Sequence, residues 1–317
     1  MAFRCLSATM VTRGLLFALL GMCCAGKLWA GEKPVESEAP PQTVRVAAVQ
    51  CYSRMGQTEY NRELLMGLIR EAAEDGAKIV VLPEAAVHGY MDPGRWTIWT
   101  GDVESRDEQR LYVGSVAEPV PGPSTEYFAK LAAELGIYLT IPLIEKAEDV
   151  FYNTVLLADP SGEIVAHHRK QNLWSPGDGP WASDGELPLQ VVETPYDKVG
   201  LMICYDVHKL ARPLGEADAD IVLYSVGWYG PTKAWFGGIF PRNYVVPNGF
   251  NVVAANWSAD SDALGWEGIG CSSVIRRDGD VVAVAKKQRG PEIVVADLPV
   301  KHRAVTASED SAPRVSE

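Results

Sequence analysis

The sequence predicts an α/β fold in which mixed β-sheets are covered by helices. Three observations carry this. Strand and helix signals alternate from residue 43 to about 298, with no break that would mark a second domain. Two segments read as antiparallel hairpins in place of strand–helix units. A hydrophobic content of 47% with 22% charged residues is that of a globular chain, and 317 residues suffice to bury a large core.

The elements follow in order. "VRVAAVQC" (44–51) has the continuous apolar character of a buried strand. In "NRELLMGLIREAAEDGA" (61–77), Leu64, Leu65, Leu68, Ile69, Ala72 and Ala73 recur at helical spacing, and Gly76 ends the helix. "KIVVLPEA" (78–85) is a strand stopped by Pro83. "PGPSTEYFAKLAAELG" (121–136) is a capped helix, followed by the strand "IYLTIPLI" (137–144). "FYNTVLLADPSGEIVAHHRKQ" (151–171) places two strands about a Pro-Ser-Gly turn. Strand "KVGLMIC" (198–204), a helix near 207–217, strand "DIVLYSV" (220–226), a helix near 238–248 and strand "NVVAAN" (251–256) come next. "CSSVIRRDGDVVAVAKK" (271–287) is a second hairpin turning at Asp278-Gly279.

The ends read differently. Residues 1–30 have the form of an export signal: Arg4 and Arg13 precede the apolar run "GLLFALLGMCCA" (14–25), which is short for a membrane span, and "LWAG" (28–31) offers cleavage after Ala30. An uncleaved anchor is the alternative, and a lipoprotein site at Cys23 is disfavoured by Met22. Residues 31–42 form a polar, proline-rich linker, 43–302 the folded domain, and 303–317 a solvated tail. The protein is therefore expected to be exported, periplasmic or secreted, with no membrane contact beyond an N-terminal anchor.

Composition narrows the function. The formal charge is -12, and it falls to -15 without the three basic residues of the first thirty. Such a surface repels phosphate backbones and anionic lipid, which excludes nucleic acid as a partner. Cys51, Cys204 and Cys271 remain after export, too few for a disulfide-stapled scaffold, so at least one thiol stays free. No metal site is expected. His167 and His168 are adjacent on a strand and face opposite ways, and neither a His/Cys cluster nor HExxH occurs. No cofactor is called for, and the glycines of "GWEGIG" (265–270) lack phosphate-loop spacing.

Three residues stand where strands stop. Glu84 follows "VVLP", Lys170 ends "IVAHHR" and Cys204 ends "VGLMI". Alone, each has a plain reading: a cap or solvated carboxylate, a charged edge that discourages pairing, a small core residue. Together they form a chemical set at the end of a sheet where α/β sites gather. A thiol attacks as thiolate, a carboxylate moves its proton, and an ammonium steadies negative charge, helped by the backbone N–H of Tyr205.

These segments resemble the nitrilase superfamily of carbon–nitrogen hydrolases. "VVLPEAAVHGY" resembles its glutamate block, "FYNTVLLADPSGEIVAHHRKQNLW" its lysine block and "VGLMICYD" its cysteine block, in order across residues 44–298. The resemblance implies a four-layer αββα sandwich of the carbon–nitrogen hydrolase type. It also implies Glu84 as general base, Lys170 as oxyanion stabiliser and Cys204 as nucleophile. The family's second glutamate falls on Glu145, implied to orient Lys170, and Tyr152 and Asn153 match positions beside the site, where support of the backbone is expected. "CYD" in place of Cys-Trp-Glu tilts the substrate toward amides, and relatives commonly pair, which implies a homo-oligomer. The segments "VHKLARP" (207–213) and "FPRNYVVPNG" (240–249) depart from the amidase pattern, so the resemblance does not carry over the substrate identity or assembly of any one branch.

Loop tryptophans at 96, 99, 174, 181, 228, 257 and 266 are each explained by packing, but Trp174 and Trp228 closely follow site-bearing strands and are expected to line a substrate pocket. The expected function is an exported amidase acting on a small-molecule amide through a Cys204 thioester. Rival readings are a nitrilase with a thioimidate intermediate, an acyltransferase that passes the thioester to an amine, and a non-catalytic binding protein on the same scaffold.

Overall fold

A computed structural model describes residues 43–92, 94–259 and 267–301 of the chain. The export signal, linker and tail expected at 1–30, 31–42 and 303–317 lie outside the described residues, as does Trp266.

The first half runs β1 (Thr43–Gln50), α1 (Thr58–Glu74), β2 (Ile79–Val81), β3 (Ile98–Thr100), β4 (Arg110–Tyr112), α2 (Pro123–Leu135), β5 (Tyr138–Ala147), β6 (Val150–Ala158) and β7 (Ile164–Arg169). The second runs β8 (Val191–Glu193), β9 (Lys198–Ile203), α3 (Val207–Glu216), β10 (Ile221–Val226), a helical stretch over 232–248, then β11 (Asn251–Asn256), β12 (Ser273–Ile275), β13 (Val281–Val284) and β14 (Glu292–Pro299). Two six-stranded mixed sheets result, in the orders β14-β1-β2-β5-β6-β7 and β13-β12-β11-β10-β9-β8.

Alternation along the strands sorts their side chains into layers. On β1, Ala47 and Val49 pack with Leu65 and Ile69 of α1 and Phe128 of α2, while Val44, Val46 and Ala48 join the core shared with the second sheet. On β9, Gly200 faces α3 so closely that a Cβ there would lie 2.5 Å from the Leu214 side chain and require it to shift. The order is thus helices, sheet, sheet, helices: the αββα sandwich.

Both sheets deliver their chemistry to one end. β2 and β5 are parallel, and β6 and β7 continue by antiparallel steps, so β2 and β7 run the same way. In the second sheet β9, β10 and β11 are parallel. A parallel bridge between Cys51 and Trp257, just beyond β1 and β11, brings the carboxyl ends of the two sheets together. That is the crevice in which α/β proteins place their ligands.

Boundaries differ from the sequence reading where periodicity is weak. β5 extends to Ala147, three residues beyond the expected end. The stretch 232–248 begins earlier than expected and is wound in α, π and 3-10 turns, interrupted by Pro241 and Pro247. Cys51, Cys204 and Cys271 are all free and buried. Among the described residues no helix is long and apolar enough to cross a membrane, and no cluster of three His, Cys, Asp or Glu could hold a metal ion.

Candidate active site

Glu84 sits just past β2, where Leu82 N–H donates to Thr140 Oγ1 (2.8 Å) and Ala85 turns with φ of 48°. The turn directs the carboxylate inward, where it is buried. Its Oε1 accepts from Lys170 Nζ at 2.6 Å and Asn153 Nδ2 at 2.8 Å, and its Oε2 accepts from the backbone N–H of Gly227 at 2.8 Å. Only glycine fits at 227: a Cβ there would come within 2.8 Å of the Tyr90 ring and 2.9 Å of Glu84 Oε2.

Lys170 leaves β7, the edge strand, and is fully buried. Its ammonium is shared between Glu84 and Asp178, whose Oδ2 also lies at 2.6 Å. Asp178 is held in a loop in which its Oδ2 accepts from Trp174 N–H (2.8 Å) and its Oδ1 from Asn153 Nδ2 (3.0 Å). Asn153 therefore bridges the two carboxylates that flank the ammonium, a more direct role than backbone support.

Cys204 follows β9 with φ of 41°, a left-handed conformation that strains a non-glycine residue and points to a tightly determined turn. The chain passes through one 3-10 turn (Cys204–Asp206) into α3. Tyr224 OH donates to Cys204 O at 2.7 Å, and Sγ lies 3.6 Å from Gly227 O. Asp206 ties this elbow to the lysine loop. Its Oδ1 accepts from Gln171 N–H (2.9 Å) and Asn172 N–H (2.8 Å), and its Oδ2 from Ile203 N–H (3.2 Å), with His168 Nε2 at 2.8 Å. His167 faces the other way and meets Glu145 at 2.8 Å.

That contact corrects the expectation for Glu145. It does not reach Lys170. Because β5 continues past it, Glu145 lies within the strand, opposite Tyr152, whereas Ile144 lies opposite Asn153. Alternation puts Glu145 on the face away from the site, where it accepts from Thr154 Oγ1 (2.7 Å) and Arg169 Nε (3.0 Å). Tyr152 shares that face and lies under the Arg169 guanidinium at 4.0 Å. The carboxylate beside Lys170 is Asp178, eight residues further on in "SPGDGPW" (175–181), where glycines and prolines signal only a loop.

The electrostatics follow from burial. Desolvation raises the Glu84 carboxyl to about 7, against the pull of Lys170 and with a push from Asp178. Burial alone would discharge Lys170, but Asp178 and Glu84 outweigh it and hold the ammonium charged well above its ordinary range. Burial, then the Glu84 charge, pushes the Cys204 thiol up despite Lys170. With both carboxylates ionised, two negative charges face one positive. A resting thiolate would add a third negative charge, so the thiol holds its proton.

Above Cys204 opens a cavity of about 260 Å³, lined by Trp174, Tyr205, His208, Gly227, Trp228, Tyr229, Gly230 and Trp235. Trp174 and Trp228 thus lie beside the cysteine. Trp235 was not singled out from sequence; it belongs to the irregular helical stretch and reaches the cavity by stacking on Trp228 at 3.9 Å.

Residues 45–307 match the family model for carbon–nitrogen hydrolases. The chain is 35% identical over 176 residues to nitrilase 3 of Arabidopsis thaliana, covering 53% of this chain and 49% of that one. It is 30% identical over 277 residues to omega-amidase NIT2 of Bos taurus, covering 83% and 91%. The chain spans about half the length of the plant nitrilases it matches. Among solved structures, a mutant of the amidase from Nesterenkonia sp. AN1 in complex with butyramide superposes with a TM-score of 0.65 at 24% identity, over 81% of this chain and 91% of that one, a likeness of fold.

Proposed function

This chain belongs to the carbon–nitrogen hydrolase family, and we propose that within it the protein is an amidase that cleaves a non-peptide amide through a thioester on Cys204. The observation that carries the reading is the buried ammonium of Lys170 held between Glu84 and Asp178, next to a strained cysteine elbow under an open cavity.

In this reading ionised Glu84 takes the Cys204 proton as sulfur attacks the amide carbon. The carbonyl oxygen becomes an oxyanion, steadied by Lys170 and by the Tyr205 N–H at the amino end of the turn leading into α3. Collapse breaks the carbon–nitrogen bond, and Glu84 returns the proton to the departing nitrogen. Water then attacks the thioester, loses a proton to Glu84, and that proton returns to sulfur as the acid leaves. Asp178 and Asn153 hold the ammonium and carboxylate in place throughout. Omega-amidases match over most of their length, which supports amides as substrate. Residues 1–30 support action outside the cytoplasm, and a homo-oligomer remains the expected assembly.

The test is intact mass of the protein, quenched shortly after mixing with primary amides, beside Cys204→Ala. An adduct on the wild type alone is the expected result; steady amide hydrolysis by Cys204→Ala would end the mechanism. Nitrilases of Arabidopsis thaliana match at higher identity over a shorter span, which favours nitriles as a second reading. A thioimidate adduct formed from nitriles but none from amides would replace the first reading with that one.

A further inference from the structure

The walls of the cavity over Cys204 narrow the substrate further, on the premise that the amidase reading holds. Six aromatic side chains face it: Trp174, Tyr205, His208, Trp228, Tyr229 and Trp235. Among the described lining residues none is Lys, Arg, Asp or Glu. Burial lowers the proton affinity of His208, so its ring is neutral at neutral pH. Beneath it the catalytic carboxylates outnumber the ammonium. A carboxylate on the acyl group would meet repulsion and find no cation among these walls to pair with.

Shape points the same way. Trp228 and Trp235 stack at 3.9 Å with 17° between planes, and Trp235 continues onto Phe240 at 5.7 Å and 16°, a flat, layered wall. Trp174 packs on Tyr229 at 4.8 Å. The wall is fixed from behind: Trp228 N–H donates to Asn256 Oδ1 (3.0 Å), its carbonyl accepts from Trp257 Nε1 (3.0 Å), and His208 meets Tyr244 OH at 2.7 Å. A rigid flat surface suits a planar ring better than a branched chain. An apolar cavity of roughly 150 Å³ holds one benzene, so the 260 Å³ here admits a ring and a short linker.

We propose that the acyl half of the substrate is uncharged and ends in an aromatic ring, joined to the carbonyl by about one to three carbons. A quaternary ammonium, the other natural ligand of aromatic walls, finds no carboxylate to pair with among the described lining residues.

The experiment compares ammonia release from butyramide, 3-phenylpropionamide, the monoamide of glutaric acid and a trimethylammonium-bearing amide. In parallel, binding of 3-phenylpropionamide to Cys204→Ala is followed by tryptophan fluorescence. The expected result is kcat/KM at least about tenfold higher for the phenyl amide than for butyramide, lower again for the glutaric monoamide, with saturable quenching in Cys204→Ala. Trp235→Leu should reduce the phenyl-to-butyramide ratio by about tenfold, a ratio in which general loss of activity cancels. If that variant fails to fold, Tyr229→Ala at an exposed wall position replaces it. Butyramide, the glutaric monoamide or the trimethylammonium amide turned over as fast as the phenyl amide would overturn the inference and leave the amidase standing. No hydrolysis and no adduct with any amide would instead remove the amidase reading.

Discussion

Lys170 and Asp178 meet at 2.6 Å, both side chains fully buried, and the same ammonium lies 2.6 Å from Glu84. One cation is therefore shared by two carboxylates that serve different ends. Asp178 anchors it, being fixed in turn by Trp174 N–H and Asn153, while Glu84, raised to about 7, is free to trade a proton. A buried ammonium with one partner would pair with it fully and leave no base; the second partner keeps Glu84 basic.

Replacing Asp178 by Asn should separate these roles. The isostere keeps the loop but removes the charge that, after burial, adds to the rise of Glu84 and that holds Lys170. Activity on amides should fall about 100-fold, the scale of losing one positioned electrostatic group. The Glu84 limb of the pH profile should move to lower pH. Rate loss with an unmoved limb would mean that Asp178 acts only through loop structure.

The wild-type profile has a defined sign. In the proposed mechanism Glu84 must be ionised to take the thiol proton, so kcat/KM should rise with pH through about 7 and fall below it. Glu84→Gln should abolish the limb and lower the rate about a thousandfold or more, measured between pH 5 and 9 with adducts monitored by mass. A wild-type limb near 4.5 would show that Glu84 is not desolvated in solution as it is here.

Much of this arrangement was legible in the sequence because chain-breaking residues and apolar runs mark strand ends. Pro83 stops β2 beside Glu84, and the buried run 199–203 delivers Cys204. The four-layer packing came through resemblance, since the pattern of strands leaves open how sheets face each other. Asp178 was not legible: it belongs to an irregular loop, where orientation comes from hydrogen bonds to Trp174 and Asn153 that no periodicity records. Glu145 was reached through the resemblance alone; β5 runs on to Ala147, so Glu145 lies within the strand, where one residue decides the face.

Gly227 tests how tightly the base is held. Its N–H donates to Glu84 Oε2, and its missing Cβ leaves room for both that carboxylate and Tyr90. Gly227→Ala should cost about 1–3 kcal/mol of stability by overpacking. Activity should fall by on the order of 100-fold, since the added methyl pushes on the base itself. Melting curves and kcat/KM on the same preparations distinguish the two effects. Equal and small losses in both would show that the pocket relaxes around the methyl.

Glu145 gives the opposite expectation, stability without catalysis. Burial works against its charge, but hydrogen bonds from His167, Arg169 and Thr154 prevail and lower its carboxyl to about 2. A carboxyl depressed from 4.5 to about 2 stabilises the fold above pH 4.5, and that contribution fades as pH falls toward 2. Arg169 and His167 keep about a fifth to a quarter of their side-chain surface in water, so screening reduces the effect. Glu145→Gln should therefore cost about 1–2 kcal/mol at pH 7. The difference from wild type should shrink steadily in denaturant titrations carried below pH 4.5. Amide turnover should stay within about threefold of wild type, because the side chain lies across the sheet from Lys170. A hundredfold loss of turnover at unchanged stability would return Glu145 to the site and force a different account of what holds the ammonium.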